Sequence, residues 1–408
     1  MHIRKLMILI FVLICGITAV PHTSVPASTL PADKTEPVIP FELINRHIFV
    51  KINVNNSDPL WFILDTGDKF AIIDLERAKS LGLDLQGQVN VGGAGAGVLK
   101  GAYVKDSSFT LAGLEGFKQP VTLALPLDIL KPNFGHDVDG IIGSDFIKQF
   151  VVEVDYSARV ITLHDKKSFS YSGPGEIVPT RLDSGSHPII QGEIMLQGRD
   201  AIKGDFVIDL GSGGALALTR PFVESQHLPD SNQKTIRAIG AGGTGGAIAG
   251  RIGRIPALKV GKFTVDNPIT MFSEDTQGAF ASAAIQGNIG AQIMCKFKIL
   301  LDYDHNRIIL EPNASFKEPM DHASSGLKII GEGKDYRTFR IREVLENSPG
   351  TEAGLQRDDV IIAINERPAT ELTLTKLIEQ FERTVAYKLT VRRGLQTLQV
   401  IITPRKLV

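Results

Sequence analysis

The sequence predicts a mainly β protein made of two copies of one β lobe, followed by a smaller β domain with short helices. Three observations carry this. An apolar run that ends on Asp-x-Gly occurs twice, as Trp61-Phe62-Ile63-Leu64-Asp65-Thr66-Gly67 and as Phe206-Val207-Ile208-Asp209-Leu210-Gly211-Ser212. The landmarks that follow each run recur in the same order at matching distances. After about residue 312 the repeat stops and the pattern changes. With 40 glycines in 408 residues, many short β-branched runs and frequent turn signals, the chain has the composition of turn-rich β structure.

The first residues read as an export signal. Arg4 and Lys5 precede an apolar run over residues 6–15, and Val25-Pro26-Ala27 supplies small residues for cleavage. Residues 1–27 are therefore expected to be a signal peptide, with the protein exported to a periplasmic or extracellular space. An uncleaved signal would leave an N-terminal membrane anchor. Residues 28–39 form a Pro- and Thr-containing lead-in. After cleavage Cys295 is the one cysteine left, so no internal disulfide is expected. A formal net charge of −1 with no basic cluster argues against nucleic acid as a partner.

The first lobe is assigned to residues 40–167. Ile48-Phe49-Val50-Lys51-Ile52-Asn53-Val54 alternates as a strand does, Asn55 to Pro59 is a turn, and the next apolar run delivers Asp65. The glycine cluster Val91-Gly92-Gly93-Ala94-Gly95-Ala96-Gly97 has no Gly-Lys-Ser/Thr sequel and reads as a hairpin tip, not a phosphate cradle. Asp139-Gly140-Ile141-Ile142-Gly143 follows, then a short helix that Ser144 is placed to cap, and a hairpin around Ser157-Ala158-Arg159. Asp139, Asp155 and Asp302 read as turn or structural residues.

The second lobe, residues 175–312, repeats the programme. Asp209 stands for Asp65, residues 239–246 for the glycine cluster, Gly287-Asn288-Ile289-Gly290 for residues 140–143, and Leu300-Leu301-Asp302-Tyr303 with Arg307-Ile308-Ile309-Leu310 for the closing hairpin. Asp65 precedes Gly143 by 78 residues, and Asp209 precedes Gly290 by 81. A duplication of this kind puts both aspartates at a pseudo-two-fold seam. Two carboxyls placed together share a proton, which supplies an acid and a base in one site.

Residues 313–325 read as a polar linker and residues 326–408 as a separate domain. Leu374, Leu377, Ile378 and Phe381 mark one face of a helix, and Gly394 turns a final hairpin. The histidines show no metal spacing and read as surface or linker residues. Ser212 lacks the partners of a serine nucleophile, and Cys295 reads as core.

The two Asp-x-Gly runs, each with its downstream glycine segment, resemble the aspartic proteases of the pepsin and retroviral type. The resemblance covers residues from about 40 to 312. Asn347-Ser348-Pro349-Gly350 through Ala353-Gly354-Leu355 to Asp359-Val360-Ile361-Ile362-Ala363-Ile364-Asn365 resembles a PDZ domain, as found in bacterial aspartyl proteases that carry one. The resemblance implies two retropepsin-like lobes forming a pepsin-like bilobal unit, with Asp65 and Asp209 as the catalytic dyad and no metal or cofactor. It implies that Thr66 sends its hydroxyl to the opposite loop, that Gly67 and Gly211 allow close approach, and that Ser212 donates to Asp209. In the PDZ part it implies that Gly326, Leu327, Lys328 and Ile329 offer backbone N–H groups to a peptide's carboxylate, with the peptide adding a strand near residues 339–341.

Two residues depart from the pattern. Leu210 removes the hydroxyl that would answer Thr66, and Asp68 puts a third carboxyl beside the dyad. The expected function is aspartic endopeptidase action on a peptide or protein substrate, with the PDZ domain assisting binding. The competing expectation is a peptide-binding or scaffold protein that keeps the cleft without the chemistry.

Overall fold

The computed structural model describes residues 36–119, 121–241, 243–320 and 323–408. The expected signal peptide and most of the lead-in lie outside these residues. The lead-in is shorter than expected, because the strand Val38–Ile44 already begins inside it.

Each lobe is built around one crossing of strands. Leu60–Leu64 runs parallel to Gly140–Ile142, with Gly140 beside Phe62. Ile202–Asp209 runs parallel to Gly287–Gly290, with Gly287 beside Phe206. Phe62 and Phe206 each stand three residues before their aspartate, so the two lobes share one register. The inner strand also pairs antiparallel with Ala71–Asp74 in the first lobe and Leu216–Leu218 in the second. These runs carry almost no alternation because both faces are covered, as buried parallel pairing demands. Phe62, Leu64, Phe206 and Ile208 are buried in one continuous core.

Both lobes extend a Gly-rich hairpin. In the first it is Leu85–Gly92 with Val98–Val104, and in the second Ile236–Ala241 with Ala247–Arg254. The lobes are joined by a sheet whose strands run Val38–Ile44, Val160–His164, Val151–Asp155, Phe297–Asp302, Arg307–Pro312 and Glu176–Leu182. At its centre Val152 pairs with Leu301 and Val154 with Ile299, so the two closing hairpins meet antiparallel. This is a pepsin-like bilobal β unit.

The third domain has its own core of Phe339, Ile341, Leu377, Leu389 and Val391. Its sheet runs Leu327–Glu332, Thr338–Val344, Val360–Ile364, Tyr387–Arg393, Gln396–Ile402, with the helix Leu374–Phe381 against it. The segment expected to be a polar linker is docked. Asn313 caps a short turn Ala314–Lys317, Met320 is buried in the bilobal core, and Ser324 bridges to Arg405. Thr338–Val344 is an interior strand, paired on both sides, so no peptide adds along residues 339–341. The edge strands of this sheet are Leu327–Glu332 and Gln396–Ile402.

Candidate active site

Asp65 and Asp209 end their strands at the seam and face one another. A Cβ added at Gly211 would fall 2.0 Å from Asp65 Cγ, and one at Gly67 would fall 2.9 Å from Asp209 Cγ. Each glycine therefore lies against the opposite carboxyl, a place no side chain can occupy. The Asp209 carboxyl lies close enough to act on Asp65. Burial first, then the charge of Asp209 and of Asp68, holds the Asp65 carboxyl well above the usual carboxylate range.

The dyad is not symmetric in its donors. Asp65 Oδ1 accepts the Gly67 N–H at 2.7 Å. Asp209 Oδ2 accepts from the side-chain amide of Asn288 at 2.5 Å. The resemblance implied Ser212 for this role. Among the described residues no hydrogen bond from the Ser212 hydroxyl reaches Asp209. Asn288 and Ile141 are one residue before Ile289 and Ile142 in matched strands, so an amide replaces an apolar side chain in the second lobe only. Asp209 Oδ1 is buried without a protein partner. A buried oxygen left unmet costs about 1–3 kcal/mol, so it is a place for a solvent molecule or substrate atom.

Thr66 behaves as expected. Its hydroxyl donates to the Ile208 carbonyl at 2.7 Å and accepts the Leu210 N–H at 2.9 Å. The Leu210 side chain returns no hydrogen bond to the first lobe, being apolar and wholly buried in the core. Ser144 does not cap its helix. It sits inside the first turn, and its hydroxyl donates to the Thr66 carbonyl at 3.3 Å.

Asp68 is half-buried. Burial first, and the charge of Asp209 second, push its carboxyl up to about 6, against the opposing pull of His187. His47, read from sequence as surface or linker, stands at the seam. Its Nε2 lies 3.0 Å from the Gly211 carbonyl oxygen and its Nδ1 lies 2.8 Å from that of Asn45. Asp139 is structural, accepting from the Trp61 N–H and from Arg77 Nε. Asp155 accepts from the Ser157 and Ala158 N–H groups and lies 3.7 Å from Lys298 of the second lobe, and Asp302 binds within its own hairpin. Cys295 caps the helix Ala291–Met294 against the core.

The two Gly-rich hairpins meet at their tips. The Gly97 N–H donates to the Gly245 carbonyl at 2.8 Å. In the third domain the Gly326 N–H donates to the Ser324 hydroxyl at 3.1 Å, and the Leu327 N–H to the Ser325 hydroxyl at 3.2 Å. Lys328 and Ile329 are paired in the ladder with Glu343 and Ile341. Among the described residues no group of His, Cys, Asp and Glu is arranged to hold a metal ion.

Residues 50–146 match the family model described as aspartyl protease. Residues 315–392 match the PDZ domain model. Among solved structures, the chain is similar to the aspartic proteinase from Irpex lacteus, at 12% identity over 70% of this chain and 99% of that one, with a TM-score of 0.43. No curated protein matches the chain.

Proposed function

We propose that this chain, which carries an aspartyl protease domain and a PDZ domain, is an endopeptidase that hydrolyses peptide bonds with water activated by Asp65 and Asp209. The observation that carries the reading is the reciprocal contact of each loop glycine with the opposite carboxyl. Two carboxyls so close cannot both ionise cheaply, and they titrate as a pair sharing one proton. The Asn288 amide donates to Asp209, and burial favours the proton on Asp65. Asp209 then takes a proton from the attacking water while Asp65 donates to the carbonyl oxygen of the scissile bond. The tetrahedral intermediate collapses as a proton passes to the leaving amine. Thr66 keeps the two loops in register, and Gly67 and Gly211 give the clearance. The meeting hairpin tips must part to admit a chain.

Replacing Asp65 or Asp209 by Asn tests this. Each variant should keep its circular dichroism and melting temperature, yet lose peptide hydrolysis by roughly 100-fold or more. Full turnover by either one would remove the assignment.

A second reading, a binding protein without turnover, is favoured by Leu210, which leaves the seam with one hydroxyl where two would serve. Cleavage blocked by a statine-type mimic excludes it. The PDZ part is proposed to take a peptide along its edge strand Leu327–Glu332 once the helix Lys131–Phe134, which packs on that strand near Gly331, has moved away; an entering carboxylate would then displace the Ser324 and Ser325 hydroxyls. The charged and apolar leader over residues 1–27 supports an exported location.

A further inference from the structure

The two lobes carry a matched pair of histidines. Phe49 pairs with Ile63 and Ile189 with Val207, each opposite the residue two before the aspartate. His47 and His187 each stand two residues before that pairing position, so they are equivalent. Both are half-buried, and each acts on the other lobe's aspartate loop. His47 binds the Gly211 carbonyl. His187, oriented by Asp183 at 2.9 Å, faces Asp68 electrostatically.

We propose that His47 is a positioning residue that ties the first lobe to the Asp209 loop, supplying the cross-seam side-chain bond that the Leu210 side chain cannot. Both partners of the His47 ring are carbonyl oxygens, which only accept. A neutral imidazole has one N–H, so one contact would set lone pair against lone pair. The imidazolium donates to both. The ring is also enclosed by shape. It lies edge-to-face with Phe134 at 4.7 Å, and a Cβ at Gly213 would fall 2.7 Å from its Cε1. The turn Asn45-Arg46 that launches it uses left-handed backbone at both residues, with φ of 48° and 69°.

The charges around the ring make its proton depend on the dyad. Burial opposes the charge and lowers the pKa, while the Asn45 and Gly211 carbonyls and the Asp209 carboxylate favour it. From the Asp209 loop it faces Asp209. From the helix Lys131–Phe134 it faces the Phe134 ring, and Lys131 there is drawn to Asp74 at 3.6 Å. On its own turn, Arg46 is bound to Glu382 at 2.5 Å. Asp209 is thus the carboxylate that favours the charged ring against burial, which leaves the pKa below the ordinary imidazole value, and His47 holds the loop that aims Asp209.

The effect on turnover rests on the protease reading, whereas the protonation does not, so two measurements keep them apart. Nitrogen-15 NMR of the imidazole in the full chain at pH 5 should show both ring nitrogens protonated. In the Asp209→Asn protein the His47 midpoint should fall by about one pH unit or more, as expected when a close opposite charge is removed. His47→Gln, which keeps one donor, should lower kcat roughly tenfold with KM little changed, and His47→Phe should lower it further. A single neutral tautomer from pH 5 to 7, with the same midpoint in Asp209→Asn, overturns the proposal even if peptide hydrolysis is intact. If the NMR result holds and neither His47 variant changes kcat or its pH profile, the positioning role is overturned instead.

Discussion

At the scale of single residues, the site is a cluster of three carboxyls in which position decides charge. Asp65 and Asp209 face one another across the seam, and Asp68 adds a third carboxyl from the Asp65 loop. The sign of its effect follows from linkage. Asp68 has its folded value raised to about 6 from an ordinary 3.8. The folded state therefore holds the proton more tightly than the unfolded chain does. The stability this gives is present below the ordinary value and is lost as pH rises through about 6. Asp68→Asn should flatten that loss, leaving the protein more stable than wild type at pH 7 by of order 1 kcal/mol. Because the Asp68 charge also raises Asp65, the same variant should move the alkaline limb of kcat/KM to lower pH. Melting curves and pH–rate profiles check both, and unchanged, parallel curves would show that Asp68 is silent. Asp65, Thr66 and Asp209 were legible in the sequence because each stands beside its own strand and turn signals. Asn288 was not, because its partner is 79 residues away and the apolar slot it fills gives no local sign of polarity. His47 was missed for the same reason. The available signal was symmetry, since His47 and His187 sit at one register position of the duplicated strand.

At the scale of elements, periodicity and glycine placement fixed most strands, and tertiary pairing decided what they do. The glycine cluster was rightly read as a hairpin tip, but its contact with the second tip is invisible without the pairing of lobes. The segment at residues 339–341 alternates as a peptide-receiving strand would, yet neighbours cover both its edges. Alternation reports which face is buried and says nothing of which edge is free. The hairpin tips give a test of the gate. A Cβ at Gly95 would fall 2.4 Å from the Gly245 carbonyl oxygen and 2.8 Å from that of Ala247. Gly95→Ala must push the tips apart and stretch the Gly97–Gly245 hydrogen bond, a loss of about 1 kcal/mol. The Gly97 amide should then exchange with solvent several-fold faster, and KM should change while kcat at saturation stays close to wild type. Equal exchange rates in the two proteins would show that the tip contact does not hold the hairpins.

At the scale of the whole molecule, the bilobal core and the PDZ domain are separate apolar clusters that meet over a polar and glycine-lined contact. The sequence showed the change of character near residue 312 but not the docking, because the contact is made by residues scattered through both parts. Arg46 pairs with Glu382, and the Tyr336 hydroxyl donates to Asp137 at 2.8 Å. Gly135 carries the closest approach. Its φ is +60°, and a Cβ there would fall 2.6 Å from Leu374 Cβ, at the start of the long PDZ helix. Gly331 of the PDZ edge strand lies on it as well, since a Cβ at Gly331 would come 3.1 Å from Gly135 Cα. The half-exposed Arg46–Glu382 pair is worth about 0–1 kcal/mol, so Glu382→Gln should leave the arrangement in place. Gly135→Ala adds both backbone strain and a clash, and should lift the PDZ domain from the first lobe. Small-angle scattering should then show a larger radius of gyration, and proteases should cut within residues 313–325. Since Gly135 follows the Phe134 that packs on His47, turnover should fall in the same variant while Glu382→Gln keeps it. An unchanged radius with unchanged turnover would mean that the two parts meet without either one depending on the other.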